Sequence, residues 1–245
     1  MAKNHGDDFF TLIENELIAK NTYRCVFKGN TKNLVAPGQF VNIKIDGLFL
    51  RRPISVAEYD SQTMTLIYKA VGKGTEILAS TRPGKVFDIL TGLGNGYTLR
   101  GQKPLLIGGG AGVPPLYGLA QKFAKKGIKA VVIMGFGSAD EIFYADKFTA
   151  LGHEVKITTV DGTSGIKGFV TDAIGGVEYD YFYSCGPEPM LRAVFNATTT
   201  NGQFSFEERM GCGFGGCMGC TCKTITGGRR ICTEGPVLEK SDLLW

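Results

Sequence analysis

The sequence predicts a small antiparallel β-barrel, an α/β domain with a doubly wound sheet, and a short C-terminal region rich in cysteine. Three observations support this fold class. Strand-like stretches separated by turn residues fill the first hundred positions, strands and helices alternate over the next hundred, and five of the seven cysteines lie at residues 212–232. A chain of 245 residues accommodates two small domains and an appendage. We therefore expect domains over residues 1–101, 102–201 and 202–245.

The barrel is predicted from short segments in the first hundred residues. Residues 41–45 alternate apolar and polar side chains, which is typical of a half-buried strand. Residues 63–68 are rich in β-branched and aromatic types, and residues 36–39 and 60–62 have the composition of turns. Six or so closely spaced strands favour an antiparallel barrel. The other predicted strands cover residues 22–27, 52–57 and 86–90.

Two stretches of the predicted barrel carry groups suited to phosphate. Arg52 and Ser55 place a guanidinium and a hydroxyl on one strand, and a guanidinium can fork onto a pyrophosphate through two hydrogen bonds. Gly72-Lys73-Gly74-Thr75 opens a predicted helix, whose free N–H groups and positive dipole end favour an anion. The alternatives are a surface charge at Arg52 and an ordinary turn at the glycines.

The α/β domain is predicted from the alternation of strands and helices after residue 104. Such an alternation favours a doubly wound sheet of parallel strands. The expected strands cover residues 104–107, 129–134, 154–159 and 179–184, and the expected helices cover residues 116–126, 140–151 and 187–199.

A glycine-rich loop follows the first strand of this domain. The glycines of Gly108-Gly109-Gly110-Ala111-Gly112 allow the backbone to approach a pyrophosphate at the following helix end. The loop is not a strict G-x-G-x-x-G, because Pro114 interrupts it. The sequence therefore predicts a dinucleotide site at Gly108, Gly109, Gly110 and Gly112, with a plain strand–helix turn as the alternative.

Two further features lie where strands of the predicted sheet end. Asp140 and Glu141 follow the second strand, and acidic residues there suit a ribose 2′-hydroxyl, which favours NADH over NADPH. The alternative is that they are the charges of a helix N-terminus. Cys185 ends the last strand at the carboxyl edge, where ligands bind in open α/β sheets. It is a candidate contact for a nicotinamide, or else a small buried apolar residue.

The C-terminal cysteines have the spacing of iron–sulfur ligands. Four residues separate Cys212 from Cys217, two separate Cys217 from Cys220, and eleven separate Cys220 from Cys232. A C-x4-C-x2-C run with a distant fourth cysteine is the plant-type [2Fe-2S] pattern. The loop must turn its N–H groups inward at the sulfurs, and its many glycines permit such turns.

Other uses of the cysteines are less favoured. A disulfide framework is disfavoured by the odd cysteine count and by the absence of a secretory signal. A zinc site usually shows paired C-x2-C spacings. Cys222 is an additional thiol beside the expected third ligand, Cys220, and is the alternative to it.

Composition and charge exclude several function classes. A net charge of +4 is too small to indicate nucleic-acid binding, and no apolar run reaches the length of a membrane span. His5 and His153 are the only histidines, and neither lies near a candidate nucleophile, which disfavours histidine-based hydrolysis. Reduced cysteines without an export signal lead us to expect the cytoplasm.

The order of these motifs resembles that of the ferredoxin–NADP reductase superfamily, which places a flavin on an antiparallel barrel and a nicotinamide on an α/β domain. The cysteine pattern narrows the resemblance to the electron-transfer subunits of class 1B dihydroorotate dehydrogenases, and the resemblance covers nearly all of the chain. The segments that carry it are Arg52-Pro53-Ile54-Ser55, Gly72-Lys73-Gly74-Thr75, Gly108-Gly109-Gly110-Ala111-Gly112, Cys185-Gly186-Pro187 and the cysteine-rich loop.

The resemblance implies a site for each cofactor. Arg52 would face the flavin pyrophosphate, Ile54 and Ser55 would lie beside the isoalloxazine ring, and Cys185 would lie where nicotinamide and flavin meet. The implied FAD site comprises Arg52, Pro53, Ile54, Ser55, Ile67, Tyr68, Lys69, Gly74 and Thr75. The implied cluster ligands are Cys212, Cys217, Cys220 and Cys232.

The resemblance also implies a function. Dihydroorotate would be oxidised on a separate FMN-containing dihydroorotate dehydrogenase catalytic subunit, and electrons would pass through the [2Fe-2S] cluster and FAD to NAD+ in pyrimidine biosynthesis. The expected assembly is a heterotetramer of two plus two subunits. One alternative is an NAD(P)H-dependent flavin and iron–sulfur reductase that serves ferredoxin, sulfur species or an oxygenase. Another is a zinc-stabilised binding module on a degenerate reductase scaffold.

Overall fold

The computed structural model describes residues 7–245, so His5 lies outside the described residues. The first part of the chain forms a closed antiparallel barrel, as predicted. The barrel strands are β1 (Asp7–Ala19), β2 (Thr22–Lys28), β3 (Phe40–Ile43), β4 (Arg52–Tyr59), β5 (Thr63–Lys69) and β6 (Val86–Leu93). Their order in the barrel is β1-β2-β5-β4-β3-β6, and a helix, α1 (Lys73–Ser80), connects β5 to β6.

Alternation explains most of these barrel strands. On β5, Met64, Leu66 and Tyr68 point into the barrel core, whereas Ile67 packs on the opposite side against the α/β domain. The first strand was not predicted, because its pairing with β2 shifts register twice. Each shift interrupts the period of two by which a strand is recognised.

The second part of the chain forms a seven-stranded sheet and a separate hairpin. The elements are β7 (Pro104–Gly109), α2 (Pro114–Lys125), β8 (Val131–Phe136), α3 (Ala145–Ala150), β9 (Glu154–Thr159), β10 (Ile166–Lys167), β11 (Tyr181–Cys185), α4 (Glu188–Ala197), β12 (Gly202–Ser205), β13 (Thr221–Thr224), β14 (Gly227–Arg230) and β15 (Val237–Glu239). The sheet has the order β10-β9-β8-β7-β11-β12-β15. Its pairs are parallel except that of β12 with β15, and the hairpin pairs β13 with β14.

This sheet confirms the predicted doubly wound fold. The chain leaves β7 toward β8 on one side and returns to pair β11 on the other, so the topological switch point lies between β7 and β11. The sheet also gains an antiparallel edge strand, β15, which follows the cysteine-rich loop. The loop is therefore tied to the sheet at both of its ends, by β12 before it and by β15 after it.

The predicted helix over residues 140–151 is wrong in its first half. A short 3-10 turn at Ala139–Glu141 is followed by an irregular segment, and α3 begins only at Ala145. Tyr144 has a φ of +64°, which lies outside the right-handed helical region. Its ring is buried and packs against Phe143 and Tyr117, so tertiary packing overrides the helical pattern.

The two faces of the sheet pack against different parts of the chain. On one face, Phe123 of α2 packs edge-on to Tyr183, which also contacts Tyr97 at the barrel side. On the other face, Phe40 of the barrel and Ile107 of β7 belong to the same apolar cluster as Cys220 and Cys232. The barrel, the sheet and the cysteine-rich region therefore meet there. Within residues 7–245, no helix has the length and apolarity needed to cross a membrane.

Candidate functional site

A cavity of about 610 Å³ opens at the carboxyl edge of the sheet. Gly109 ends β7 and Gly110 follows it, Phe136 ends β8, and Pro187 follows β11, and all four line the cavity. The cavity therefore lies at the topological switch point, where open α/β sheets bind nucleotides. Its size is within the range of small-molecule sites.

The four glycines predicted to bind the dinucleotide have two different environments. Gly109 and Gly110 face the cavity, and Gly110 has a φ of +50° that favours glycine. Gly108 and Gly112 instead allow close packing. A Cβ atom on Gly112 would lie 2.1 Å from the carbonyl oxygen of Cys185. This glycine lets the loop after β7 approach the end of β11.

A lysine of the barrel and a glutamate of the sheet meet at the cavity wall. Lys69 Nζ lies 2.6 Å from Glu141 Oε2, and both residues line the cavity. Asp140 is exposed and pairs with Lys20 at 3.0 Å instead. Of the two acidic residues predicted to face a ribose, Glu141 is the one that reaches the cavity.

Cys185 is buried at the end of β11. Its side chain is 3% exposed and belongs to an apolar cluster with Tyr97. Burial, and then the charge of Glu207, raise the pKa of the Cys185 thiol to about 12 despite hydrogen bonds with Ser205 and Tyr97. The thiol is therefore protonated at neutral pH, and its predicted role beside the nicotinamide would be one of packing.

Glu207 was not singled out from the sequence, although it lines the cavity two residues after the end of β12. Its side chain is open to the cavity, yet the surrounding protein raises the pKa of the carboxyl by desolvation. Its position after a strand at the carboxyl edge is the signal that could have identified it, but β12 itself was not predicted.

The barrel residues predicted to bind phosphate lie close together. Arg52 donates a hydrogen bond to the carbonyl of Leu50, and its side chain lies directly over Gly74, where a Cβ atom would come within 2.2 Å of Arg52 Nε. Thr75 Oγ1 donates to the carbonyl of Gly72 at 2.9 Å and accepts from the N–H of Gly72 at 3.2 Å. The Thr75 hydroxyl thus caps α1, and the N–H groups of the first helical turn, which have no partner within the helix, remain for an anion.

The other predicted flavin residues differ in which part of the residue is accessible. Pro53 is exposed and Ser55 is half-buried on the outer side of β4. Ile54 and Tyr68 point into the barrel core, and Ile67 is buried against the α/β domain. A flavin on this surface would meet Pro53 and Ser55 through their side chains, and Ile54 and Tyr68 through their backbone.

The first cysteine pair is Cys212 with Cys217, and the interaction of the two groups is one of the causes that lower the pKa of Cys212. The N–H of Gly216 donates to Cys212 Sγ at 3.1 Å. Burial raises the pKa of Cys212, but N–H donors from Phe214, Cys217 and Gly216 and the bond with Cys217 lower it overall, to about 7. The loop turns its N–H groups toward the sulfur, as predicted.

The second pair, Cys220 with Cys232, is buried. The N–H of Cys232 lies 3.4 Å from Cys220 Sγ. Burial and the neighbouring Cys220, and then the charge of Cys212, raise the pKa of Cys232 to about 12.

The four predicted ligands are arranged as two pairs. Across residues 7–245, no three His, Cys, Asp or Glu side chains are grouped as they would be around one metal ion. The four cysteines form two pairs instead, and a two-iron cluster held by four thiolates takes two ligands at each iron. The donor set therefore fits a [2Fe-2S] cluster.

Cys222 Sγ donates a hydrogen bond to the carbonyl of Lys223 at 3.7 Å. It is half-buried on β13 and packs at the edge of the apolar cluster. Desolvation raises its pKa, followed by the charges of Glu208 and Glu188. These acidic neighbours would disfavour the thiolate that a metal requires.

Comparisons with known proteins agree with this geometry. Residues 207–244 match the family described as the iron-sulfur cluster binding domain of dihydroorotate dehydrogenase B, and residues 106–196 match the oxidoreductase NAD-binding domain. Among solved structures, an NADH-dependent reduced ferredoxin-NADP oxidoreductase has a TM-score of 0.88 and 24% identity, covering 98% of this chain and 91% of that one. An Amycolatopsis cytochrome P450 reductase has a TM-score of 0.69 and 23% identity over 79% and 66% of the two chains. At such identities these likenesses confirm the ferredoxin reductase-like fold.

Curated relatives are similar over almost their whole length. A Fusobacterium nucleatum subsp. nucleatum protein named "Dihydroorotate dehydrogenase B (NAD(+)), electron transfer subunit" is 47% identical, covering 95% of this chain and 96% of its own. A Bacillus cereus protein of the same name is 43% identical over the same shares, and one from a Geobacillus species is 40% identical over 96% and 97%. The chain belongs to the family of dihydroorotate dehydrogenase B electron transfer subunits.

Proposed function

We propose that this chain carries electrons from a dihydroorotate-oxidising partner subunit to NAD+ in pyrimidine biosynthesis, using a [2Fe-2S] cluster and FAD. The observation that carries the proposal is the position of the paired cysteines. The buried pair, Cys220 and Cys232, belongs to an apolar cluster that also contains residues of the barrel strands β3 and β6 and of β7 in the nucleotide-binding sheet. A one-electron centre, a flavin surface and a nucleotide cavity would thus be contiguous in one chain.

The residues divide into three sets according to the group they would hold. FAD, when bound, exchanges two electrons as hydride with NAD and single electrons with the cluster, and the chemistry belongs to the cofactors. The cluster would be held by Cys212, Cys217, Cys220 and Cys232. FAD would lie against Arg52, Pro53, Ile54, Ser55, Ile67, Tyr68, Lys69, Gly74 and Thr75. NAD would lie in the cavity against Gly109, Gly110 and Glu141, over the close-packed glycines Gly108 and Gly112.

The side chains of these sites bind and orient. Arg52, held beside Gly74, would neutralise a pyrophosphate together with the N–H groups that open α1. Glu141 would accept hydrogen bonds from a ribose and repel a 2′-phosphate, which supports NAD over NADP. The pair between Lys69 and Glu141 keeps both side chains ordered at the cavity wall until a ligand takes their hydrogen bonds.

The partner would be an FMN-containing catalytic subunit, in a cytoplasmic heterotetramer of two plus two chains. Phe214 and Met218 lie on the cysteine-rich loop, with side chains 48% and 58% exposed. Exposed apolar residues beside a redox centre favour a protein contact there. A partner at this loop would bring its own redox group close to the cluster.

The test is an anaerobic pull-down of the tagged chain from its native cell, followed by an assay of dihydroorotate-dependent reduction of NAD+. We expect a brown-yellow complex with an FMN protein that reduces NAD+ in preference to NADP+ and requires dihydroorotate. Omission of dihydroorotate is the control. Activity with a different partner, or NADH-to-ferredoxin activity of the chain alone, would instead support the reductase alternative.

A further inference from the structure

One side chain of the barrel contacts the cysteine-rich loop directly. Asn42 lies on β3, and its side chain is 1% exposed. Its amide Nδ2 donates a hydrogen bond to the carbonyl oxygen of Cys212 at 3.1 Å. A bond between residues 170 positions apart in the sequence thus joins the barrel to the backbone of the first predicted ligand.

The loop is shaped to fit this amide. Gly213, the next residue, has a φ of +78°, and a Cβ atom there would lie 2.4 Å from Asn42 Nδ2. A side chain at this position would collide with the amide, so the glycine allows the loop to pass directly against β3. A second hydrogen bond holds the loop from within the cysteine-rich region, where Arg230 Nη1 donates to the carbonyl of Gly215 at 2.7 Å.

The other neighbour of Asn42 is the strand that would hold the flavin. In the pairing of β3 with β4, Asn42 stands opposite Pro53, and Phe40 stands opposite Ser55. The backbone of β3 is fixed in turn by Arg51, which donates to the carbonyl of Asn42 at 3.4 Å and forms a bidentate pair with Asp88 at 2.8 Å. Asn42 therefore lies between the flavin strand and the cluster loop, with its backbone on a rigid element.

We propose that Asn42 is a positioning residue, which seats the cluster loop on the flavin-binding barrel and thereby fixes the geometry of electron transfer between the two cofactors. The inference rests on the proposed function and deepens it. Electron transfer slows steeply as two redox centres move apart, so a contact that holds the loop against β3 controls its rate. A donor to the backbone of a ligand also tunes the potential of the cluster, in the manner of outer-shell hydrogen bonds.

The amide oxygen of Asn42 provides a way to distinguish a role in positioning the loop from a role in stabilising the fold. Asn42 Oδ1 is buried and accepts no hydrogen bond from the part of the chain that the structure describes. A buried acceptor without a partner destabilises the folded state. Replacing Asn42 by leucine, which is of similar size and apolar, removes that unfavourable group along with the bond to Cys212. The protein with leucine at this position should therefore still fold, but the loop should no longer be held against β3.

The test compares Asn42→Asp and Asn42→Leu with the wild type, all loaded with FAD and cluster. The aspartate keeps the shape of asparagine but, when ionised at pH 8, donates no hydrogen bond. Asn33→Asp is the matched control, because Asn33 is another barrel asparagine whose Nδ2 donates within the barrel, to Thr91 Oγ1. The measurements are FAD content, thermal midpoint, the EPR spectrum and midpoint potential of the cluster, and the separate rates at which NADH reduces flavin and cluster.

We expect both Asn42 variants to retain FAD and to be reduced by NADH at the flavin with the wild-type rate, while cluster reduction slows by about tenfold. The added negative charge of Asn42→Asp should also lower the cluster potential, and Asn33→Asp should change neither property. Wild-type EPR, potential and cluster-reduction rate in both variants would overturn the inference. Loss of FAD and of thermal stability in Asn42→Leu would also overturn it, by showing a role in the fold. A wild-type protein without a cluster spectrum would overturn the proposed function itself.

Discussion

The nucleotide cavity and the cysteine-rich loop are built in opposite ways. The cavity lies at the edge of a parallel sheet whose core is filled by large aromatic side chains, among them the fully buried Tyr183, Phe123 and Phe148. Its walls combine glycine backbone, at Gly109 and Gly110, with side chains such as those of Phe136 and Glu141. Such a site is formed by the apolar core beneath it, and it does not depend on its ligand for its shape.

The cysteine-rich loop has little core of its own. Its hairpin strands β13 and β14 are four residues each, and many side chains from Met210 to Arg230 are exposed. The loop is positioned by thiols, by N–H groups around Cys212 and by two hydrogen bonds, from Asn42 and Arg230. Because metal binding to such a site is also folding free energy, we expect the loop to depend on its cluster as the cavity does not depend on NAD.

The largest expected effect is that of removing a cluster ligand. Cys220→Ser should abolish the [2Fe-2S] absorption and EPR signals and make residues 207–244 sensitive to limited proteolysis, because the loop loses both a ligand and its metal. NADH binding at the cavity should remain. Cys222→Ser is the matched control and should keep the full cluster. A complete cluster in Cys220→Ser together with its loss in Cys222→Ser would exchange the two cysteines as ligands.

A smaller effect is expected where the cavity depends on close backbone packing. Gly112→Ala places a Cβ atom 2.1 Å from the carbonyl of Cys185, so the loop must shift away from β11. We expect a loss of about 1–3 kcal/mol in unfolding free energy and weaker NADH binding, with an unchanged cluster spectrum. Gly175→Ala is the control, since its Cβ atom would meet nothing within 4 Å. Equal stability and NADH affinity in the two variants would show that the contact at Gly112 is not needed.

Features encoded by a local sequence pattern could be predicted from the sequence, whereas features that depend on distant partners could not. Cysteine spacing and glycine-rich loops are local patterns, and they identified the cluster loop and the nucleotide-binding edge. The sheet strands β12 and β15 were missed, because each is only three or four residues long and is defined by its partner in the sheet. Without β12, Glu207 had no predicted place at the cavity.

The break before α3 and the burial of Asn42 were not predicted, because both arise from tertiary packing. The break before α3 arises because Tyr144 adopts a left-handed conformation that buries its ring, and no local pattern indicates that. Asn42 was recognised only as the polar position of an alternating strand, for which solvent is the usual surrounding. It is buried because the cysteine-rich loop, which lies far away in the sequence, covers it. Contacts of this kind require the fold.

The smallest expected effect is a change in the pH dependence of stability, and it concerns His153 in the α/β domain that carries the cavity. His153 is buried, its Nδ1 accepts from the N–H of Ala130 at 3.1 Å, and its Nε2 contacts the carbonyl of Ala120 at 3.0 Å. Desolvation lowers the pKa of His153 below its ordinary value of 6.5, against the bond to Ala120, which raises it. A proton on Nδ1 would also face the N–H of Ala130.

The unfolded chain binds this proton more readily than the folded one. The contribution of neutral His153 to the unfolding free energy is therefore fully present above pH 6.5 and is lost as the pH drops below that value. One proton corresponds to a slope of about 1.4 kcal/mol per pH unit at most. His153→Asn keeps an acceptor for Ala130 but does not titrate, so its unfolding free energy should vary less between pH 7 and pH 5 in urea titrations. Cluster absorption should be the same in both proteins at each pH. An equal slope in the variant would mean that other groups carry the acid sensitivity of the sheet.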